Sequence, residues 1–208
     1  MVRPAGAWQN GTAPADQRGR SADSANPAAV GGSLVQPSTP RPPMPPIRFI
    51  TLDAATITHI LSDPAGYQRE TGTVFDPHTG VIVETLEMTS KLFTQNAADM
   101  PWVCYLAVRL ADRVAVGSAG FKSKPTPDGV VEFGYGTYPA FENQGVATAM
   151  TVEMVRIARD GGAKVAMAHT LPVANASGRV LTKAGFRHVG EEIDPDDGLV
   201  WRWELPLG

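Results

Sequence analysis

One short run, Glu142-Asn143-Gln144-Gly145-Val146-Ala147-Thr148, is where residue type and position in this 208-residue chain first point to chemistry. It lies between a glycine-containing strand-like segment and the start of a long helical pattern. A helix N-terminus offers backbone N–H groups without carbonyl partners, and the positive end of the helix dipole, so it favours a phosphate. Gly145 would let a pyrophosphate come close to the backbone. A plain loop-to-helix junction can hold a glycine too, so the run alone nominates a phosphate site without establishing one.

Competing chemistries are absent. There is no GxxxxGK[ST], which excludes a P-loop, and Gly134-Tyr135-Gly136 lacks the third glycine of a dinucleotide fingerprint. His59, His78, His169 and His188 have none of the spacings a zinc site needs, and the single Cys104 has no second cysteine to pair with. No metal is expected, and Cys104 is expected in the core. A net charge of −3 argues against nucleic-acid binding through phosphates, so an anionic ligand must be held by local groups. No apolar run reaches the roughly 18 residues of a membrane span, and no signal-peptide core is seen at the start, so a cytoplasmic protein without membrane contact is expected.

The elements that would position these residues follow from periodicity. Residues 1–46 contain half of the prolines, ending in Pro40-Arg41-Pro42-Pro43-Met44-Pro45-Pro46, and Trp8 is their only aromatic. Such a stretch buries too little surface to offset its ordering entropy and is expected to be a disordered tail, with one domain over 47–208. A strand is expected over Ile47–Leu52, then a helix to about Leu61 capped by Asp53. Apolar spacing predicts a second helix over 81–95. Trp102–Arg109 and Val114–Phe121 read as an antiparallel hairpin joined at Ala111-Asp112-Arg113. Val130–Tyr138 reads as a strand in which Gly134 and Gly136 signal a bulge or a close backbone approach. A helix over Gln144–Asp160 ends at Gly161-Gly162; a strand over Lys164–Leu171, a helix over Ala176–Ala184 and a strand pair, Phe186–Glu191 and Leu199–Leu205, complete a mixed α/β pattern.

Two of these segments resemble a known family. The run Val131–Met150, VEFGYGTYPAFENQGVATAM, is similar to the acetyl-coenzyme A motif of the GNAT N-acetyltransferases, with its Gln/Arg-x-x-Gly-x-Gly/Ala core. The run Asn175–Phe186, NASGRVLTKAGF, resembles the Asn-x-x-Ser...Leu-x-Lys-x-Gly-Phe segment of the RimJ/RimL-like branch. The resemblance spans about Ile47 to Leu205 and is weakest before Trp102. It implies an α/β (α+β) fold with a mixed, mainly antiparallel central sheet, helices on both faces, and a splay between strands 4 and 5 that admits the cofactor like an extra strand. Pantetheine amides would pair with exposed strand backbone and the pyrophosphate would meet the adjoining helix N-terminus.

Carried over residue by residue, the resemblance implies acetyl-CoA as co-substrate. The backbone N–H of Tyr135 would polarise the thioester carbonyl and Thr137 would pair with pantetheine. Backbone N–H groups of Asn143, Gly145, Val146, Ala147 and Thr148 would hold the pyrophosphate, with Asn175 and Ser177 near the pantetheine and the leaving thiolate. Three departures stand out. Glu142 occupies the position of the usual Gln or Arg and must turn away from a phosphate. Thr182 occupies that of a Tyr that protonates the thiolate in many relatives, which leaves Ser177, Tyr135 or water for the task. The Asn-to-Ser spacing is one residue short.

The acceptor amine attacks only as the free base. At pH 7 deprotonation costs roughly 4–5 kcal/mol for a lysine-like amine and about 1 kcal/mol for an α-amine, so a weak base suffices for the latter. The resemblance implies Glu132 as that base, directly or through water, while His169 at the end of the next strand is the alternative. The implied acceptor is a protein N-terminus or a small-molecule amine, the enzyme being a monomer or homodimer. A non-catalytic acyl-CoA-binding module is the rival reading, motivated by Glu142 and Thr182.

Overall fold

The computed structural model describes residues 43–75, 86, 100–195 and 197–208. In chain order these form β1 (Ile47–Thr51), α1 (Ala54–Ser62), α2 (Pro64–Thr71), β2 (Cys104–Arg109), β3 (Ala115–Phe121), β4 (Val130–Thr137), a 3-10 turn (Pro139–Phe141), α3 (Val146–Asp160), β5 (Val165–Thr170), α4 (Ala176–Lys183), β6 (Arg187–Asp194) and β7 (Gly198–Pro206). The expected helix over 81–95 lies outside the described residues except for Leu86, which is helical and 1% exposed. Residues 1–42 of the expected tail also lie outside them. Pro46, by contrast, packs on the fold: its carbonyl accepts a hydrogen bond from Leu110 N–H at 2.9 Å.

Local chemistry explains the helix starts. Asp53 caps α1 by accepting from Thr56 N–H at 2.7 Å. Asp63 accepts from Gly66 N–H at 2.8 Å, Pro64 opens α2, and Gly72 closes it in the left-handed conformation, φ 68°. The sequence reading did not include α2, although Asp-Pro at its start and Gly after its end are a helix signature. The final strand pair is longer than expected, Arg187–Asp194 with Gly198–Pro206, because pairing runs through to the tight turn at Gly198, φ 74°.

The strands make one seven-stranded sheet, ordered β1-β2-β3-β4-β5-β7-β6. Every pairing is antiparallel except β4 with β5. That parallel contact covers only Val130–Glu132 against Val165–Met167, after which the two strands part, so the sheet is split between its fourth and fifth strands as expected. The expected bulge at Gly134 and Gly136 is absent from the β3–β4 ladder, whose register is unbroken from Phe133 to Thr137. The close approach in this part of the sheet is made by Gly117 of β3, where a Cβ would lie 2.5 Å from the Gly136 carbonyl oxygen.

Helices cover both faces. On one, Met150 and Met154 of α3 are fully buried, Met150 against Gly117, with Leu181 of α4 buried beside them. On the other, Tyr67 of α2 lies near Arg48 of β1 and stacks on Phe75. Cys104 is buried on β2 with its sulfur where a Cβ on Gly120 would fall, so it is a packing residue as expected.

Candidate active site at the split between β4 and β5

The ladder on one side of β4 decides where its backbone points on the other. Lys122 N–H donates to Glu132 O and Tyr138 N–H to Val116 O, which makes the even-numbered residues of β4 the ones hydrogen-bonded to β3. Phe133, Tyr135 and Thr137 therefore aim their N–H and C=O groups at the opposite edge, where β5 has already diverged. That edge can add one more extended ligand backbone. A Cβ on Gly136 would meet nothing within 4 Å, so open space adjoins the same stretch.

The strand then runs through the 3-10 turn into the loop ahead of α3. Asn143 at φ 60° and Gly145 at φ 82° are both left-handed, and Gly145 is the N-cap. The first helical hydrogen bond runs from Ala149 N–H to Gly145 O, which leaves the N–H groups of Val146, Ala147 and Thr148 without a partner inside the helix. These donors are left for a group outside the helix. This is the geometry the sequence reading assigned to a pyrophosphate.

The four expected catalytic residues fall into two touching pairs. The first lies on the α3/α4 face. Tyr135 is 4% exposed and its hydroxyl sits 3.5 Å from Ser177 O, in the first turn of α4. Burial pushes the phenol well above its ordinary value, against hydrogen bonding to Ser177 and Thr151. Ser177 is itself 5% exposed. Asn175 caps α4, its Oδ1 accepting from Gly178 N–H at 2.8 Å. Trp203 on β7 donates Nε1–H to Thr170 Oγ1 at 3.0 Å and packs against Gly178, which seats α4 beside the split.

The second pair lies in the fork itself. Glu132 is the last residue of β4 that β5 still pairs, and His169 stands two residues beyond its partner Met167. His169 Nδ1 is 3.0 Å from Glu132 Oε1, and Nε2 is 3.4 Å from Glu192 Oε2. Lys122 Nζ holds the same Glu132 oxygen at 2.6 Å and reaches Asp194 at 3.6 Å, while Arg202 binds Glu192 and Glu204. Burial raises the Glu132 carboxyl, but the bonds from His169 and Lys122 outweigh it and hold the group below the usual carboxylate value. The bond to Glu132 raises His169 above an ordinary histidine, against the opposing effect of burial. A proton delivered to this pair therefore rests on the imidazole.

The conserved-domain description "Acetyltransferase (GNAT) domain" matches residues 47–187. The chain belongs to the GNAT acetyltransferase family. A comparison with curated proteins found no match. Among solved structures, a spermidine N-acetyltransferase from Vibrio cholerae in complex with CoA and spermine is 11% identical, with a TM-score of 0.54, over 77% of this chain and 95% of that one. An acetyl transferase from Salmonella typhimurium that modifies the N-terminal serine of ribosomal protein L7/L12 is 15% identical, with a TM-score of 0.51, over 78% and 95%. A GNAT-family acetyltransferase from Streptococcus pneumoniae is 15% identical, with a TM-score of 0.52, over 78% and 98%. At these identities the likeness is one of fold.

GNAT acetyltransferases use acetyl-CoA, and two side chains of this member fit such a ligand. Thr137 Oγ1 and Asn175 Nδ2 are buried with no hydrogen-bond partner among the described residues, one at the end of β4 and the other at the start of α4. A buried polar group left unpaired costs about 1–3 kcal/mol, so both are suited to a ligand that supplies the missing partner. Thr182, where relatives carry a Tyr, spends its hydroxyl on Gly178 O at 2.8 Å, within α4. On α3, Arg156 binds Glu153 and Asp160, and Arg159 donates to Leu207 O. Among the described residues no helix is long and apolar enough to cross a membrane, and no cluster of His, Cys, Asp or Glu is placed to hold a metal ion.

The ion-pair network around Glu132 and His169 also takes in Lys122, Glu192, Asp194 and Arg202, which the sequence reading did not single out. The β3–β4 register carried a signal for Lys122, which follows Phe121 opposite Phe133 and so must stand beside Glu132. The others come from the β6–β7 hairpin, and no local pattern links them to β4.

Proposed function

We propose that this acetyltransferase moves the acetyl group of acetyl-CoA onto a primary amine, by direct attack while both substrates are bound at the split. The observation that carries the reading is the coincidence of two features: the outward-facing backbone of Tyr135 and Thr137 begins where β5 diverges, and the Glu132–His169 pair sits in that fork. Bound acetyl-CoA supplies an activated thioester carbonyl. Tyr135 N–H would bond that carbonyl oxygen, Thr137 the pantetheine, and the N–H groups of Asn143, Gly145, Val146, Ala147 and Thr148 the pyrophosphate.

On this reading His169 accepts the proton of the incoming amine and Glu132 holds the resulting imidazolium. That arrangement serves an α-amine well, because its ordinary pKa of about 7.7–8.0 is far closer to a histidine's than the roughly 10.4 of a lysine, and the bond to Glu132 raises His169 toward it. The Asn175–Phe186 segment supports placement in the RimJ/RimL-like branch, and the acceptor class is a protein N-terminus or a small-molecule amine. Ser177, in the first turn of α4, would protonate the leaving thiolate, and the Tyr135 hydroxyl donates to its backbone carbonyl.

The test has two stages. Acetyl-CoA should raise the unfolding temperature, since a ligand present at 100 times its Kd adds about 2.7 kcal/mol to the native state. CoA thiol release should then depend on an added amine, screened with N-terminal peptides and polyamines in parallel. No thermal shift at millimolar acetyl-CoA would overturn the cofactor assignment; a shift without release for any amine would overturn the transfer.

A further inference from the structure

Two of three successive residues in the cofactor loop are left-handed. Asn143 is a non-glycine residue at φ 60°, and Gly145 follows at φ 82°. Asn and Gly are the residue types that adopt this conformation at least cost, so what remains to be fixed is the loop's position, and that calls for contacts from outside it.

Two groups supply them. The first is the approach to β1. On the side of Gly145 where a Cβ would project, Pro45 Cδ lies at 3.3 Å, Met44 Cα at 3.4 Å and Pro43 O at 3.8 Å. The missing side chain of Gly145 is thus occupied by the chain's own backbone, itself anchored through Pro46 O to Leu110 N–H at 2.9 Å. Three of the four residues Pro43–Pro46 are proline, stiff at φ and without a donor to compete for the loop. The second group is Arg109, the last residue of β2. Its Nη1–H donates to Gln144 Oε1 at 3.1 Å, its guanidinium lies 5.1 Å from the centre of the Phe141 ring, and Asp112 fixes it from the other side. Gln144 Nε2–H in turn donates to Ala140 O.

We propose that Pro43–Pro46 and Arg109 form a brace that presets the pyrophosphate loop, which makes them positioning elements of the acetyl-CoA site. The proposal rests on the acetyl-CoA reading above. Topology puts the brace behind the loop: β1 and β2 lie on the far side of β3 and β4 from β5, whereas the ligand enters between β4 and β5. The brace and the ligand therefore approach the loop from different parts of the sheet. The proline-rich run has a use at its C-terminal end that composition does not suggest.

The experiment uses the full-length chain with three changes: Pro43, Met44 and Pro45 all replaced by glycine; Arg109→Ala; and Asp112→Ala, a control that removes the hairpin ion pair while leaving the Gln144 contact. Calorimetry reads the acetyl-CoA Kd, steady-state kinetics the KM for amine, and hydrogen exchange the amides of 143–148 without ligand. The glycine variant and Arg109→Ala should each weaken acetyl-CoA by about tenfold and speed loop exchange while leaving the KM for amine alone, and Asp112→Ala, which keeps the Gln144 contact, should change these clearly less. Unchanged Kd and exchange in folded variants would overturn the brace. So would tighter binding, which would make the strap an obstruction, or equal damage from Asp112→Ala, which would assign the effect to the hairpin. If the glycine variant does not fold, Arg109→Ala decides by the same readouts. Lack of acetyl-CoA binding by the unmodified chain would instead sink the acetyltransferase reading itself.

Discussion

His169 Nδ1 lies 3.0 Å from Glu132 Oε1, across the point at which two parallel strands stop pairing. The pair joins two residues that the sequence offers only as alternatives, and it divides their labour: the carboxylate stays ionised while the imidazole carries the proton.

Activity should report that division. With His169 as the proton acceptor, kcat/KM should rise with pH through a value above the 6.5 of an ordinary histidine. With Glu132 acting alone, the rise would fall below pH 4.5. Glu132→Gln and His169→Gln should each lower kcat by about 10²-fold with the acetyl-CoA Kd unchanged. A full pH–rate profile of wild type and both variants checks this.

Stability should carry the same signature with a defined sign. His169, raised when folded, contributes stability that is complete below pH 6.5 and is lost as pH rises through its folded value. Glu132, lowered when folded, contributes stability that is complete above pH 4.5 and is lost as pH falls through its folded value. The difference in Tm between wild type and Glu132→Gln should therefore be widest between those two limits and narrow on both sides. Thermal unfolding across that range is the measurement.

Tyr135→Phe should keep nearly full activity. Only the backbone N–H of Tyr135 faces the split, whereas its phenol is buried against Ser177 at 3.5 Å. A loss of stability of about 1 kcal/mol is expected from the lost hydrogen bond. A 100-fold fall in kcat would make the phenol, rather than Ser177 or water, the group that protonates the thiolate.

Asn175 can be split into its two functions. Asn175→Asp keeps the oxygen that caps α4 but removes the buried Nδ2 donor, so stability should hold while acetyl-CoA binds more weakly. Asn175→Ala should lose both, at a cost of about 1 kcal/mol in stability. Urea unfolding paired with calorimetric titration separates the two effects.

Gly145→Ala should destabilise the protein by about 1–2 kcal/mol, because φ 82° is unfavourable for any side chain. The new methyl also meets Pro45 at 3.3 Å, so acetyl-CoA affinity should fall with stability. Chemical denaturation and titration on one preparation check both.

Much of the site was legible in sequence because its parts are local. Asp53 was read as the cap of α1 from residue type and short spacing, whereas the same signals at Asn175 ahead of α4 went unread and α3 starts after Gly145 rather than at Gln144. The same rules apply to α2, where the Asp63-Pro64 start and Gly72 stop went unread between two stronger elements. The β2–β3 hairpin followed from two apolar runs and a short connection, and the split followed from a motif whose ligand needs an open strand edge.

What the chain order determined was therefore the elements, their caps and the loop that can meet a phosphate, all set within a few residues by backbone geometry and side-chain reach. Tertiary structure alone decided which side chains share a fork. Glu132, His169, Lys122, Glu192 and Arg202 come from five strands or strand ends, and only sheet order and register bring them within hydrogen-bonding or ion-pairing distance. The same holds for Pro45 above Gly145, 100 residues later in the chain. Contacts of that separation depend on how the strands are ordered, and no local pattern in the intervening residues encodes that order.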